Sequence, residues 1–139
     1  MPRQFETTVR AAFDILVIAL FLTIAGGGPA YADIKDYEFQ LVDKEARKAN
    51  GAVVAVRLID RRSGKAVPDA VIFARRIDMS PDGMATMTAP LEPLPSTGPG
   101  IYRFKTNLTM EGGWLLSLAA KIQGETGTLD GKLLLKVLK

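Results

Sequence analysis

The sequence predicts an all-β protein, an immunoglobulin-like antiparallel β-sandwich of about seven strands that follows an N-terminal signal peptide. Short β-rich runs with alternating apolar residues recur along the chain, and Gly, Pro, Asn and Asp separate them. Helical periodicity is hard to find after Ala49. Seven such runs in one domain of this size are typical of an immunoglobulin-like sandwich, and an open barrel is the alternative.

The N-terminus has the features of a secretory leader. Arg3 and Arg10 precede an apolar run over residues 15–25, and Ala30 and Ala32 form an A-x-A cleavage pattern. The run is well short of the roughly 20 residues that span a bilayer, which disfavours the competing interpretation of an uncleaved anchor. We therefore expect residues 1–32 to be a signal peptide and residues 33–139 to form a single periplasmic or secreted domain.

The strands are placed by their alternation and by the turns between them. The seven expected strands cover residues 37–41, 53–59, 70–77, 85–89, 102–108, 114–122 and 133–137. Residues 43–50 are expected to form a charged connection with room for a helical turn. Residues 90–100 are expected to form a loop because they hold four prolines and two glycines.

The composition excludes several kinds of site. The chain has no cysteine and no histidine, so a disulfide, a structural zinc site, a Ser-His-Asp triad and a His-bound haem are all ruled out. We expect no enzymatic activity, and a periplasmic hydrolase is disfavoured on the same ground. The net charge of +3 is small and scattered, so it indicates solvated strand faces rather than a nucleic-acid or membrane surface.

The most informative local feature is a cluster of methionines. Met79, Met84 and Met87 lie within nine residues, in a Ser-Pro-Asp-Gly context, and Met110 follows later in the chain. A thioether is a soft ligand that favours Cu(I) over hard and borderline divalent ions. The cluster therefore predicts a Cu(I) site formed by Met79, Met84 and Met87, with Met110 as a further ligand. The alternatives are a partner-binding surface and simple core packing, since methionine fills irregular gaps.

This site requires a particular backbone geometry. Met84 and Met87 are three residues apart, which would place them on opposite faces of a flat strand, so a turn or bulge near Gly83 is needed to bring them together. A hairpin-like reversal over residues 80–83 would add Met79. Trp114 is either a cation–π lid over the ion or a core residue, and the core interpretation is favoured.

The order of several short motifs resembles the YtkA-like/FixH family of exported immunoglobulin-like domains. The motifs are Asp60-x-x-x-Gly64-Lys65-Ala66-Val67-Pro68-Asp69-Ala70, then Met79, Gly83-Met84, Gly100-Ile101-Tyr102 and Gly112-Gly113-Trp114. The resemblance implies a small extracytoplasmic β-sandwich that is linked to copper handling, either in supplying respiratory oxidases or beside heavy-metal efflux systems. FixH proteins are commonly membrane-anchored, whereas the leader of this chain is of the cleavable type.

Together these observations predict a periplasmic, metallochaperone-like protein that binds Cu(I) and passes it to a protein partner in the cell envelope. The alternative is an accessory domain of an envelope efflux or oxidase-assembly complex, in which the methionines contact a partner and hold no metal. Neither alternative involves nucleic acid or a membrane-spanning segment after cleavage. Ag(I) is as soft as Cu(I), so the residues alone do not separate the two ions.

Overall fold

The computed structural model describes residues 33–139, which fold into an immunoglobulin-like β-sandwich of two five-stranded sheets. A 3₁₀ turn at Ile34–Asp36 precedes the first strand. The ten strands are β1 (Tyr37–Leu41), β2 (Glu45–Arg47), β3 (Ala49–Asp60), β4 (Lys65–Ala66), β5 (Val71–Met79), β6 (Met84–Ala89), β7 (Glu92–Leu94), β8 (Ile101–Leu108), β9 (Gly112–Lys121) and β10 (Leu129–Leu138). The predicted signal peptide lies outside the described residues.

The first sheet has the order β1-β3-β8-β7, with β4 also paired to β3, and the second has the order β2-β10-β9-β5-β6. The pairs are antiparallel except for β2, which runs parallel to the end of β10. After β1 pairs with β3, the chain crosses over, so that β2 joins the other sheet. Strands β1 and β10 lie close to each other at one edge of the sandwich but do not pair.

The predicted fold class is confirmed, but the predicted number of about seven strands is wrong. All seven expected segments are strands, and three short strands, β2, β4 and β7, were missed. Strand β2 lies in the segment that was expected to be a charged connection, and β7 lies in the proline-rich segment that was expected to be a loop. These strands have two or three residues each and depend on pairing with longer neighbours, so alternation within them is too short to detect.

The core lies between the sheets and follows the predicted alternation. The inward residues of β9 and the residue that follows it are all buried, namely Trp114, Leu116, Leu118, Ala120 and Ile122. They meet the inward residues of β3, Val54, Val56 and Leu58, from the other sheet. Burying large apolar side chains from both sheets supplies most of the stabilisation of a sandwich of this size.

Gly100 has a φ of 73°, and a Cβ there would lie 2.7 Å from Ala66, so only glycine fits at this turn. The Tyr102 hydroxyl donates to the Val67 carbonyl and accepts from the Ala70 amide, which fixes the connection before β5. No helix within residues 33–139 is long and apolar enough to cross a membrane.

Candidate functional site

The methionine cluster lies at one end of the second sheet, where β5 turns back into β6. Strand β5 ends at Met79, a 3₁₀ turn covers Ser80–Asp82, and Gly83 adopts the left-handed conformation before β6 begins at Met84. Met79 and Met84 are paired across the two strands. The predicted reversal over residues 80–83 is therefore present.

The pairing of β6 with β5 is irregular next to this turn. Asp78 pairs with Thr88, but the next residue of β5, Met79, pairs with Met84, so residues 85–87 are extra on the β6 side. This bulge keeps Met87 at the same end of the sheet as Met84. Both methionines are half-buried and pack against the core. The bulge thus supplies the irregularity that the three-residue spacing requires.

Met79 lies deeper than the other methionines. Its side chain is 0% exposed and belongs to the core cluster. A Cβ built on Gly112 would lie 3.0 Å from the Met79 methyl carbon, so the thioether packs directly against the first residue of β9. Of the four methionines, Met79 is the one that solvent does not reach.

Met110 lies in the short connection between β8 and β9 and is 39% exposed. Its backbone carbonyl accepts a hydrogen bond from the Trp114 indole nitrogen at 3.0 Å. Trp114 itself is 1% exposed, which confirms the core interpretation of this residue. Because β9 begins beside the 3₁₀ turn of the β5–β6 hairpin, Met110 approaches the same end of the sandwich as Met84.

The 3₁₀ turn is attached to β9 by Asp82. The Asp82 carboxylate accepts a hydrogen bond from the Gly113 amide at 3.1 Å. The neighbouring Gly112 has a φ of 133°, and a Cβ there would overlap the same carboxylate. The two glycines before Trp114 therefore let the turn approach the strand closely.

A second carboxylate, Asp78, holds the bulge in place. It is 5% exposed and accepts hydrogen bonds from the Ser80 amide and from the Arg76 guanidinium, each at 2.8 Å. Hydrogen bonding from Ser80 lowers the pKa of Asp78 most, burial opposes this effect, and Arg76 adds to the lowering. Arg76 also donates to the carbonyl of Ala85 within the bulge. Arg76 connects the two strands, a role that the sequence did not reveal.

These contacts determine which donor atoms remain for an ion. Asp78 and Asp82 already accept hydrogen bonds from backbone amides. Within residues 33–139, no three His, Cys, Asp or Glu side chains gather in a way that suits a metal ion. The thioethers of Met84, Met87 and Met110 have solvent access at this end, beside the exposed carboxylates of Asp82 and Glu111, and neutral sulfur donors suit a soft monovalent ion.

Comparisons with known proteins give a family for this chain. A family model described as YtkA-like matches residues 31–119, a range that contains Met79, Met84, Met87 and Met110. No curated protein matches the chain. A crystal structure of the Lin-41 filamin domain is 24% identical with a TM-score of 0.41, and the match covers 67% of this chain and 90% of that domain. The ZirS C-terminal domain is 9% identical with a TM-score of 0.43, and the match covers 95% of this chain and 86% of that domain.

Proposed function

The chain belongs to the YtkA-like family, and on that premise we propose that it is an exported, non-enzymatic accessory domain that carries Cu(I) within the cell envelope. In this proposal the ion is cargo, which the domain receives at its methionine end and passes to a protein partner. The leader pattern in residues 1–32 supports export to the periplasm.

One observation carries the proposal. Three methionines with solvent access, Met84, Met87 and Met110, lie at the end of the sandwich where the β5–β6 hairpin meets the start of β9. Met84 and Met87 belong to β6, and Met110 belongs to the connection between β8 and β9. Unbranched thioether side chains have three rotatable bonds, so sulfurs from two segments can converge on one ion with little strain.

The degree of exposure fits a carrier better than a permanent metal site. Met84 and Met87 are half-buried and Met110 is exposed, so an ion held among them stays open to a partner's ligands. A neutral thioether set leaves the positive charge of the ion uncompensated, which favours weak binding and release. Met79 is fully buried, and we assign it to the core side of the site, where it supports the ligands.

A second candidate function rests on the burial of the same residues. Met79, Met84 and Met87 all belong to the core or pack against it, as methionines that only fill space would do. In that case the methionine end is a contact surface of an accessory domain in an efflux or oxidase-assembly complex, and no metal is held.

A competition titration separates the two candidates. The purified protein is titrated with Cu(I) under anaerobic, reducing conditions against a chromogenic chelator, beside the variant Met84→Leu/Met87→Leu/Met110→Leu. Leucine keeps the apolar volume and removes the sulfur, so folding is retained while the soft donors are lost. We expect the native protein to withdraw one equivalent of Cu(I) from the chelator and the triple variant to withdraw none.

Met79→Leu is the matched control, because it removes one sulfur from the same cluster on the buried side. We expect it to compete nearly as well as the native protein. Failure of the native protein to compete would contradict the carrier proposal and favour the metal-free contact surface. Competition by the triple variant would place the ion elsewhere.

A further inference from the structure

A cavity whose lining includes none of the methionines lies between β1 and β10, at one edge of the sandwich. It has a volume of about 620 Å³. Phe39 and Leu41 of β1 and Leu133 of β10 form its apolar floor, and Lys44 and Lys132 stand at its rim. We refer to this feature as the edge cleft.

The edge cleft exists because β10 is paired along only part of its outer side. Strand β9 pairs with β10 from Leu129 to Val137 without a register shift, but β2 pairs only with Lys136 to Leu138. Strand β1 pairs with β3 in the other sheet and does not pair with β10. Residues 129–135 therefore have no strand partner within residues 33–139 on the side away from β9.

The direction of the backbone groups follows from strand alternation. The Lys136 amide donates to the Lys44 carbonyl, on the side away from β9. Backbone groups of a regular strand alternate sides with a period of two residues, so Lys132 and Leu134 also point their N–H and C=O groups away from β9. An unpaired strand edge of this kind is a template for a further strand.

The side chains around the edge cleft favour an extended segment in which apolar and acidic residues alternate. The floor of the edge cleft is apolar, and Leu134, which is 62% exposed, lies with Lys132 on the outer face of β10. The exposed cations Lys44 and Lys132 outnumber the one lining carboxylate, Glu38, which already accepts a hydrogen bond from Gln40. An extended segment pairing with β10 would place alternate side chains over the floor and the others beside the lysines.

We infer that the edge cleft binds an extended segment of a partner protein, which adds to the second sheet as a strand beside β10 and alternates apolar with acidic residues. Main-chain hydrogen bonds to Lys132 and Leu134 supply the pairing, and the floor and the rim lysines supply the selectivity. The position is a natural continuation of β2, which already occupies the same side of β10 further along.

The test uses a synthetic heptapeptide, acetylated and amidated, in which glutamate alternates with valine. Binding to the purified ¹⁵N-labelled protein is followed by amide chemical shifts and by hydrogen exchange. We expect shifts centred on residues 129–135 and at least about tenfold slower exchange of the Lys132 and Leu134 amides, because each gains a main-chain hydrogen bond.

Two control peptides test the mode of binding. N-methylation of two successive central amides blocks both edges of the peptide and is expected to weaken binding about tenfold or more. Replacement of glutamate by lysine is expected to weaken binding through repulsion from the rim. Lys132→Glu in the protein should weaken binding of the original peptide about fivefold, whereas Lys121→Glu, an exposed lysine on β9 outside the edge cleft, should leave it unchanged.

Three results would overturn the inference. The first is an absence of shifts at residues 129–135, and the second is equal binding of the N-methylated peptide. The third is self-association of the protein in sedimentation with the Lys132 and Leu134 amides already protected, because the edge cleft would then be filled by a second copy of the chain.

Discussion

Loss of the Asp78 carboxylate should destabilise the methionine end of the sandwich by an amount that its hydrogen bonds determine. Asp78 is 5% exposed, and it joins Ser80 of the 3₁₀ turn to Arg76 of β5. Arg76 in turn donates to Ala85 in the bulge that carries Met87. Replacing Asp78 with alanine removes both hydrogen bonds from the carboxylate and releases the Arg76 side chain.

The expected cost follows from the two bonds. A hydrogen bond to a charged group contributes about 1.5–3 kcal/mol, and the Ser80 amide falls in this class. The Arg76 pair contributes less, about 0.5–1 kcal/mol, because the Arg76 side chain is 55% exposed and solvent screens the pair. We therefore expect Asp78→Ala to lower the free energy of unfolding by about 2–4 kcal/mol at pH 7.

The contribution of Asp78 to stability should decrease as the pH falls. The folded state lowers the pKa of Asp78, so its contribution is complete above the unfolded pKa of about 4 and is lost as the pH falls through the lower folded pKa. Asp78→Asn keeps an oxygen acceptor for Ser80 but cannot titrate. The difference in stability between the native protein and Asp78→Asn should therefore shrink as the pH falls from 5 to 3.

Urea unfolding at several pH values measures both effects. Asp130→Ala is the matched control, since Asp130 is an exposed aspartate on β10 and its loss should change stability by less than about 0.5 kcal/mol. An equal effect of Asp78→Ala and Asp130→Ala would refute the reasoning. A difference between native protein and Asp78→Asn that does not depend on pH would refute the electrostatic part of it.

Four further substitutions, at three positions, test the packing. Met79→Ala should lower the free energy of unfolding in urea by about 2–5 kcal/mol, because it leaves a cavity in the core. Met79→Leu should lower it by less than about 1.5 kcal/mol. Similar losses for the two variants would contradict the burial of Met79. Thr106→Val should raise the free energy of unfolding by about 1 kcal/mol, since the buried Thr106 hydroxyl has no hydrogen-bond partner within residues 33–139. A lower stability of the variant would mean that this hydroxyl does form a hydrogen bond. Gly112→Ala should lower the free energy of unfolding by about 1–3 kcal/mol through backbone strain alone, and contact of the new Cβ with Asp82 should add to this loss. An unchanged stability in thermal unfolding would contradict the close approach of Asp82 to Gly112.

The sequence was sufficient to predict the long strands, because their apolar alternation is visible without any knowledge of pairing. Strand β9 is the clearest case, with every second residue from Trp114 to Ala120 buried. Strand β4 shows the opposite case, because its two residues are exposed and it is a strand only through its pairing with β3. Such short strands depend on neighbours that are distant in the sequence.

The methionine end was predictable only in part. The reversal after Met79 follows from the Ser-Pro-Asp-Gly sequence, which favours a turn. The burial of three consecutive residues, Ile77 to Met79, does not follow from strand alternation. It arises because the 3₁₀ turn and the start of β9 cover the end of β5, and that contact joins segments more than thirty residues apart.

Methyl NMR of Met79, Met84, Met87 and Met110 is the most direct test of the proposed soft-metal site. The protein is labelled with ¹³C at the methionine methyl groups and titrated with Ag(I), a soft and redox-stable substitute for Cu(I). We expect saturable shifts of the Met84, Met87 and Met110 methyl signals at one equivalent, with a much smaller change at the buried Met79. Methyl signals that stay unchanged when Ag(I) is in excess would rule out the proposed site, because they would show that none of these thioethers binds a soft ion.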